Sequence, residues 1–197
     1  MKRLRPIHKG TDMEQQQQIR PLSLTLTILS GCARLLPHPP NFTPVGGMSL
    51  FAGARLPGWQ AYLVPLAMMA ITDPLLALLF GMPGYTRVSP FIYASFMINV
   101  WIGRTLLARS ENPVRIGAAA FLCSLQFFLI TNFAVWMGSA FYSHSVSGLA
   151  ACYSSALPFF GRTLGGDLLF SAVLFGLHSF LSRRVAARTE RSALQAV

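Results

Sequence analysis

The chain has 197 residues, of which 53% are hydrophobic and only 11% charged, with a mean hydropathy of +0.49 and a formal charge of +10. A soluble domain carries roughly 25% charged residues, so this is one domain's length of chain without the charge to cover a water-facing surface. The basic excess lies at the termini and in loops between apolar runs, where it meets anionic headgroups; this argues for a lipid bilayer as partner and against nucleic acid.

In chain order, Lys2, Arg3, Arg5, Lys9 and the Gln15 to Gln18 run form a basic, glutamine-rich tail over residues 1–19, expected to be disordered because it has no apolar face to bury. Apolar runs follow at 20–36, 44–57, 59–81, 89–108, 116–138 and 164–182. A helix needs about 20 residues to cross the hydrocarbon, with a range of roughly 17–25. The pattern therefore predicts an all-α, polytopic membrane protein of about six transmembrane helices over residues 20–182, with a basic tail at 183–197. The second run is short and rich in glycine and alanine, so its ends are the hardest to place. The stretch Gly148 to Phe160 is apolar but too short to span, and reads as an interfacial or re-entrant segment.

Leu29-Ser30-Gly31-Cys32 follows a positive, then apolar, N-terminal stretch and imitates a lipoprotein cleavage box. With Arg34 and further spans beyond it, a retained first helix is the expected outcome. Cys32, Cys123 and Cys152 form no disulfide framework and no CxxC metal pair. Cys32 and Cys123 sit in apolar runs as small packing residues.

The arginines sort onto alternate loops. Placing both termini in the cytoplasm puts thirteen of the sixteen basic residues inside and leaves Arg34, Arg87 and Arg162 on or near the other face. Trp59, Tyr62 and Trp101 then mark the inner interface, and Tyr85, Tyr93, Trp136 and Tyr142 the outer one. The outer loops are the structured ones. Loop one, Pro37 to Pro44, is a stiff polyproline-like turn; loop three, Gly81 to Pro90, is punctuated by Pro83 and Gly84; loop five, from about Ser139 to Thr163, holds His144, Cys152, Tyr153 and Pro158. Structured loops on one face point to binding from that face.

Asp73-Pro74 lies inside the third run. An intramembrane carboxylate costs several kcal/mol unless paired or solvated, so Asp73 is either a functional acid or the partner of a group freed at a helix break. Asp167 either caps or pairs with Arg162, or lines a cavity. Asn132 and Trp136 combine a two-way hydrogen-bonding amide with a ring face, suited to a polar, ring-bearing molecule; their structural alternatives are helix contact and interfacial anchoring. Asn99 and Gln126 read as helix–helix contacts. His144 and Cys152 are the only hint of a metal or cobalt-centred cofactor, without ligand spacing to support it. The small residues Ser23, Thr27 and Gly31, and Ser49 with Gly53, allow close helix approach, within the bundle or against a partner. No Walker loop, HExxH, GxSxG or carboxylate pair is present, and no enzyme activity is expected.

The run Arg34-Leu35-Leu36-Pro37-His38-Pro39-Pro40-Asn41-Phe42-Thr43-Pro44, with Leu50-Phe51-Ala52-Gly53, Thr131-Asn132-Phe133, Trp136, Gly148-Leu149, Cys152-Tyr153, Pro158-Phe159-Phe160 and Leu174-Phe175-Gly176, resembles a bacterial membrane-protein family known mainly as a domain of unknown function. The architecture more loosely resembles the substrate-binding S components of energy-coupling-factor vitamin transporters. That likeness implies a vitamin or similar micronutrient, a corrinoid among them, bound as cargo under the outer loops. It also implies a separate transmembrane coupling subunit with ATPases. The resulting expectation is an uptake protein of the bacterial inner membrane, with His38, Asn41, Asp73, Asn132, Trp136, His144 and Tyr153 lining the ligand pocket, no catalytic residue and no resident cofactor. A structural or assembly subunit of a membrane complex is the alternative.

Overall fold

A computed structural model describes residues 7–108 and 110–195, and side chains over 19–108 and 110–189. Among these the fold is all-helical: α1 (Ile7–Ala33), α2 (Val45–Arg55), α3 (Gln60–Phe80), α4 (Ser89–Leu106), α5 (Pro113–Gly138) and α6 (Val146–Gln195). Three helical stretches, Gln60–Phe80, Pro113–Gly138 and Val146–Thr189, are long and apolar enough to cross a membrane, and Ile19–Ala33 is a shorter apolar stretch. Helix α1 takes in part of the segment expected to be a disordered tail.

The short α2 organises the rest. All of Val45 to Ala54 is buried, and α2 packs against α1, α3, α4, α5 and α6. Eleven residues rise only about 16 Å, roughly half of the ~30 Å hydrocarbon layer, so α2 is not a span in its own right. Glycines let it sit this deep. A Cβ on Gly53 would overlap the Val100 carbonyl of α4, one on Gly103 of α4 would overlap the Leu50 carbonyl, and one on Gly47 would come within 2.8 Å of the Ser171 nitrogen of α6. The small-residue faces seen in the sequence are thus consumed inside the bundle. Gly31 likewise packs on Met68 of α3, and buried Ser23 of α1 is 3.0 Å from His178 Nε2 of α6.

The C-terminal end of α2 is tied down by Arg55, which donates to the carbonyls of Leu107 and Ser110, both at 3.0 Å, and lies 5.0 Å over the Phe175 ring. Arg55 so satisfies carbonyls left open where α4 ends. At the same end, Arg104 donates to the Gly58 carbonyl, and Asn112 caps α5 by accepting from Val114 and Arg115. Anchored at that end, α2 is about half as long as a membrane span.

Two sequence expectations are corrected. The segment 148–160 is not a separate interfacial piece: α6 is continuous from Val146, with Pro158 inside it. The segment reads as too short to span by itself, but packing on α5, including Phe128 against both Tyr153 and Phe160, accompanies a helix that runs on through Pro158 into the sixth apolar run. Asp167 consequently sits in the middle of a long helix rather than near its end. The expected helix contact at Gln126 is present: its Nε2 reaches the Ser95 carbonyl at 2.9 Å and Asn99 Oδ1 at 2.7 Å, joining α5 to α4.

Candidate binding site

Two adjoining cavities open where loop one meets the start of α2. The first, about 160 Å³, is lined by Arg34, Asn41, Thr43, Gly46, Phe127 and Asp167 among others. The second, about 140 Å³, is lined by Asn41, Phe127, Phe128, Asn132, Phe160 and Thr163 among others. Asn41, Phe127 and Thr163 belong to both. The sequence builds this spot from three devices. Pro37, Pro39 and Pro40 stiffen the entry to loop one. Asn41 takes a left-handed backbone, φ 64°, which a short polar side chain tolerates better than most and which turns the chain toward Phe42-Thr43-Pro44. Gly46 lets α6 approach, because any Cβ there would overlap the Asp167 carboxylate.

Asp167 is 4% exposed and accepts a hydrogen bond from Ser124 Oγ of α5 at 2.6 Å. It pairs with no cation: the described ion pairs are Arg34 with Asp73, and Arg183 with Glu111. The capping or pairing alternative with Arg162 is thereby replaced by the cavity-lining one.

Asp73 has a different fate. It forms an ion pair with Arg34, and Tyr93 Oη donates to its other oxygen at 2.7 Å. Arg34 also donates to Thr72 Oγ1 at 2.9 Å. Asp73 therefore stands behind the cavity, neutralised, and fixes the arginine that lines it. Arg34 keeps one buried donor, Nε, without a partner.

Of the remaining sequence candidates, Asn41 and Asn132 reach the cavities. The Asn132 amide donates to the Phe128 carbonyl at 2.8 Å, leaving its oxygen free to accept. His38, Trp136, His144 and Tyr153 line neither cavity. His38 lies against its own loop, 3.1 Å from the Pro39 carbonyl and 3.2 Å from that of Arg34. Trp136 donates to the Ser143 carbonyl at 3.0 Å and meets His144 edge-on, a clasp for loop five. Tyr153 donates to the Leu129 carbonyl at 2.6 Å, fastening α6 to α5. Cys152 contacts the Asn132 carbonyl at 3.5 Å, and no cluster of three or more metal-ligating side chains occurs among the described residues.

Sequence reasoning missed Arg34 as the partner of Asp73, and Ser124. Arg34 was counted as a loop charge for topology; its spacing from Asp73 carries no signal because the contact is between α3 and the end of α1. A larger hollow, about 680 Å³, lies toward the opposite end, lined by Arg55, Glu111, Ile116, Ser171, Phe175 and Phe180 among others. It is an open groove flanked by exposed Leu168, Phe180 and Arg183, and Glu111 there accepts from Ser179 at 3.0 Å. The smaller pair of cavities is distinguished by the buried Asp167 and by the sequence candidates Asn41 and Asn132 in its walls.

No curated protein and no solved structure matches the chain. The sequence over residues 15–191 does match a family model, and the chain belongs to that family, DUF6580, a family of unknown function.

Proposed function

We propose that this protein binds a small, ring-bearing molecule, in the vitamin and micronutrient size class, and carries it across the bacterial inner membrane. The observation that carries this reading is the pair of cavities at the start of α2, where Arg34, Asn41, Asn132, Thr163 and Asp167 converge among phenylalanines. Half-length helices that end inside the bundle are a recurrent way of building a binding site in transporters. A few placed polar groups in an apolar, aromatic wall are the general form of small-molecule sites.

In this reading the loop-one end faces outside and both termini lie in the cytoplasm, which the arginine distribution supports. Six hydrophobic segments then form a multi-pass bundle, α2 contributing a buried half-span. Ligand enters under loops one and five. The prolines of loop one lower the ordering cost of closure, and the Trp136–Ser143–His144 clasp holds loop five over α5. Release inward follows rocking of the bundle, driven either alone or by a transmembrane coupling subunit with ATPases. No step is chemical, and no cofactor is needed; the vitamin or micronutrient would be cargo. The alternative is an assembly subunit that docks a membrane partner through its small-residue faces and loop five; Gly31 and Gly53 face neighbouring helices within the chain, which leaves loop five as its surface.

Mass spectrometry of small molecules released from detergent-purified protein tests the reading, with Asn132→Ala as comparison. A compound enriched with the native protein and lost from the variant is expected. Retention of the same compound by the variant at full stoichiometry places the site elsewhere.

A further inference from the structure

We propose that the ligand of the paired cavities is a small organic cation bearing an aromatic ring, with Asp167 as its countercharge; this rests on the reading of the cavities as the binding site. The argument is one of charge balance. The charged side chains lining the two cavities are Arg34 and Asp167. The Arg34 guanidinium is ion-paired with Asp73, which lies behind the wall and is further held by Tyr93, so its charge is matched there while its Nε donor stays without a partner. The pair cancels, and Asp167 is left as a 4% exposed carboxylate with one neutral donor, Ser124, at 2.6 Å.

A buried carboxyl group with no cationic partner inside an apolar bundle either holds a proton or takes a partner of opposite charge, and a cationic ligand is the partner this cavity can admit. The α2 N-terminus, which Gly46 brings against the carboxylate, offers about half an elementary charge and leaves the rest unmet. An anionic ligand entering the same space meets Asp167 as a repulsive neighbour. A cation meets a charge-assisted acceptor in a water-poor wall, where such bonds are strongest.

The ring follows from what else lines the space. Phe96 and Phe127 have centroids 5.0 Å apart, and Phe128 and Phe160 5.1 Å apart. These rings belong to the cavity walls, and aromatic faces favour both planar rings and cations. The free Asn132 oxygen supplies a polar contact in the second cavity, and the Asn41 and Thr163 side chains supply them in the shared wall. Cavities of about 160 and 140 Å³ suit a bicyclic or two-part molecule and not a macrocycle, which sets a corrinoid aside as the cargo of this site.

Three near-isosteric probes test this on the full chain in phosphatidylcholine nanodiscs: benzamidinium, benzamide and benzoate, read by saturation-transfer NMR titration. Binding is assigned to the cavities by its loss in Thr163→Trp, which fills their shared wall. Benzamidinium is expected to bind at least about ten-fold tighter than benzamide, an advantage of about 1.4 kcal/mol, with benzoate weakest. Asp167→Asn, which keeps the Ser124 contact, is expected to erase the advantage while benzamide binding stays. If benzamide or benzoate matches or exceeds benzamidinium in the native protein, the cation assignment is overturned and the cavities remain a binding site. If none of the three binds, the cavity reading falls with it. The native-protein comparison needs no variant to fold.

Discussion

Breaking the Arg34–Asp73 pair from one side should cost far more than removing it whole. The two groups join the end of α1 to α3, with side chains 18% and 16% exposed, so both are largely withdrawn from water. Asp73→Asn keeps an acceptor for Tyr93, yet it leaves the Arg34 charge facing a cavity whose only other charge is Asp167. Removing one partner of a buried pair costs about 3–5 kcal/mol, and the low end applies here because Thr72 still accepts from Arg34. Arg34→Met leaves Asp73 with Tyr93 alone and should cost a similar amount. The double variant Arg34→Met with Asp73→Leu removes both charges and should lie within about 1–2 kcal/mol of the native protein, since apolar replacement of a buried pair is often near neutral. The coupling energy from the cycle is then about 4 kcal/mol or more, well above the ~0.6 kcal/mol typical of interhelical hydrogen bonds in membranes. Reversible unfolding in mixed detergent micelles, followed by tryptophan fluorescence, measures each corner. Single-variant costs that simply add, with coupling below about 0.5 kcal/mol, would refute the claim that the two charges sustain one another.

Gly46→Ala should destabilise the bundle by about 1–3 kcal/mol and abolish ligand retention, because its Cβ overlaps the Asp167 carboxylate, while Gly161→Ala, with nothing near its Cβ, should leave melting unchanged. Arg55→Met should lower stability by about 2–4 kcal/mol, as two backbone carbonyls lose charged donors; a melting temperature equal to native would show that the α2–α4 clamp is dispensable. Gln126→Leu should cost about 1 kcal/mol through its contacts to Ser95 and Asn99, with ligand retention intact; a loss of ligand without loss of stability would instead put Gln126 in the site.

Helical class, the mid-chain run positions and the cavity residues Asn41 and Asn132 were legible because apolar run length and isolated polar residues are local signals. The α2 half-span was visible only as a short, glycine-rich run. What makes it central is close approach at Gly46, Gly47 and Gly53 to α6 and α4, and this contact information is absent from any one segment. The fate of the acids was illegible for the same reason. Asp73 and Asp167 look alike in sequence, each an acid in an apolar run, and they diverge because Arg34 reaches one and no cation reaches the other. Trp136, His144 and Tyr153 attracted attention as chemically able loop residues. Their donors are instead taken by carbonyls, or their faces by neighbouring rings: Trp136 and His144 hold loop five, and Tyr153 ties α6 to α5.

The most direct test of a loop-covered cavity reached from outside is the accessibility of Thr163, which lines both hollows. A Thr163→Cys variant made in a Cys32→Ser background leaves only the buried Cys123 and Cys152 as native thiols. It would be treated with a small, membrane-impermeant cationic methanethiosulfonate reagent in spheroplasts and in inside-out vesicles. The account predicts rapid modification from the outer face only. Modification from the cytoplasmic face alone, or none until the protein is unfolded, would contradict it.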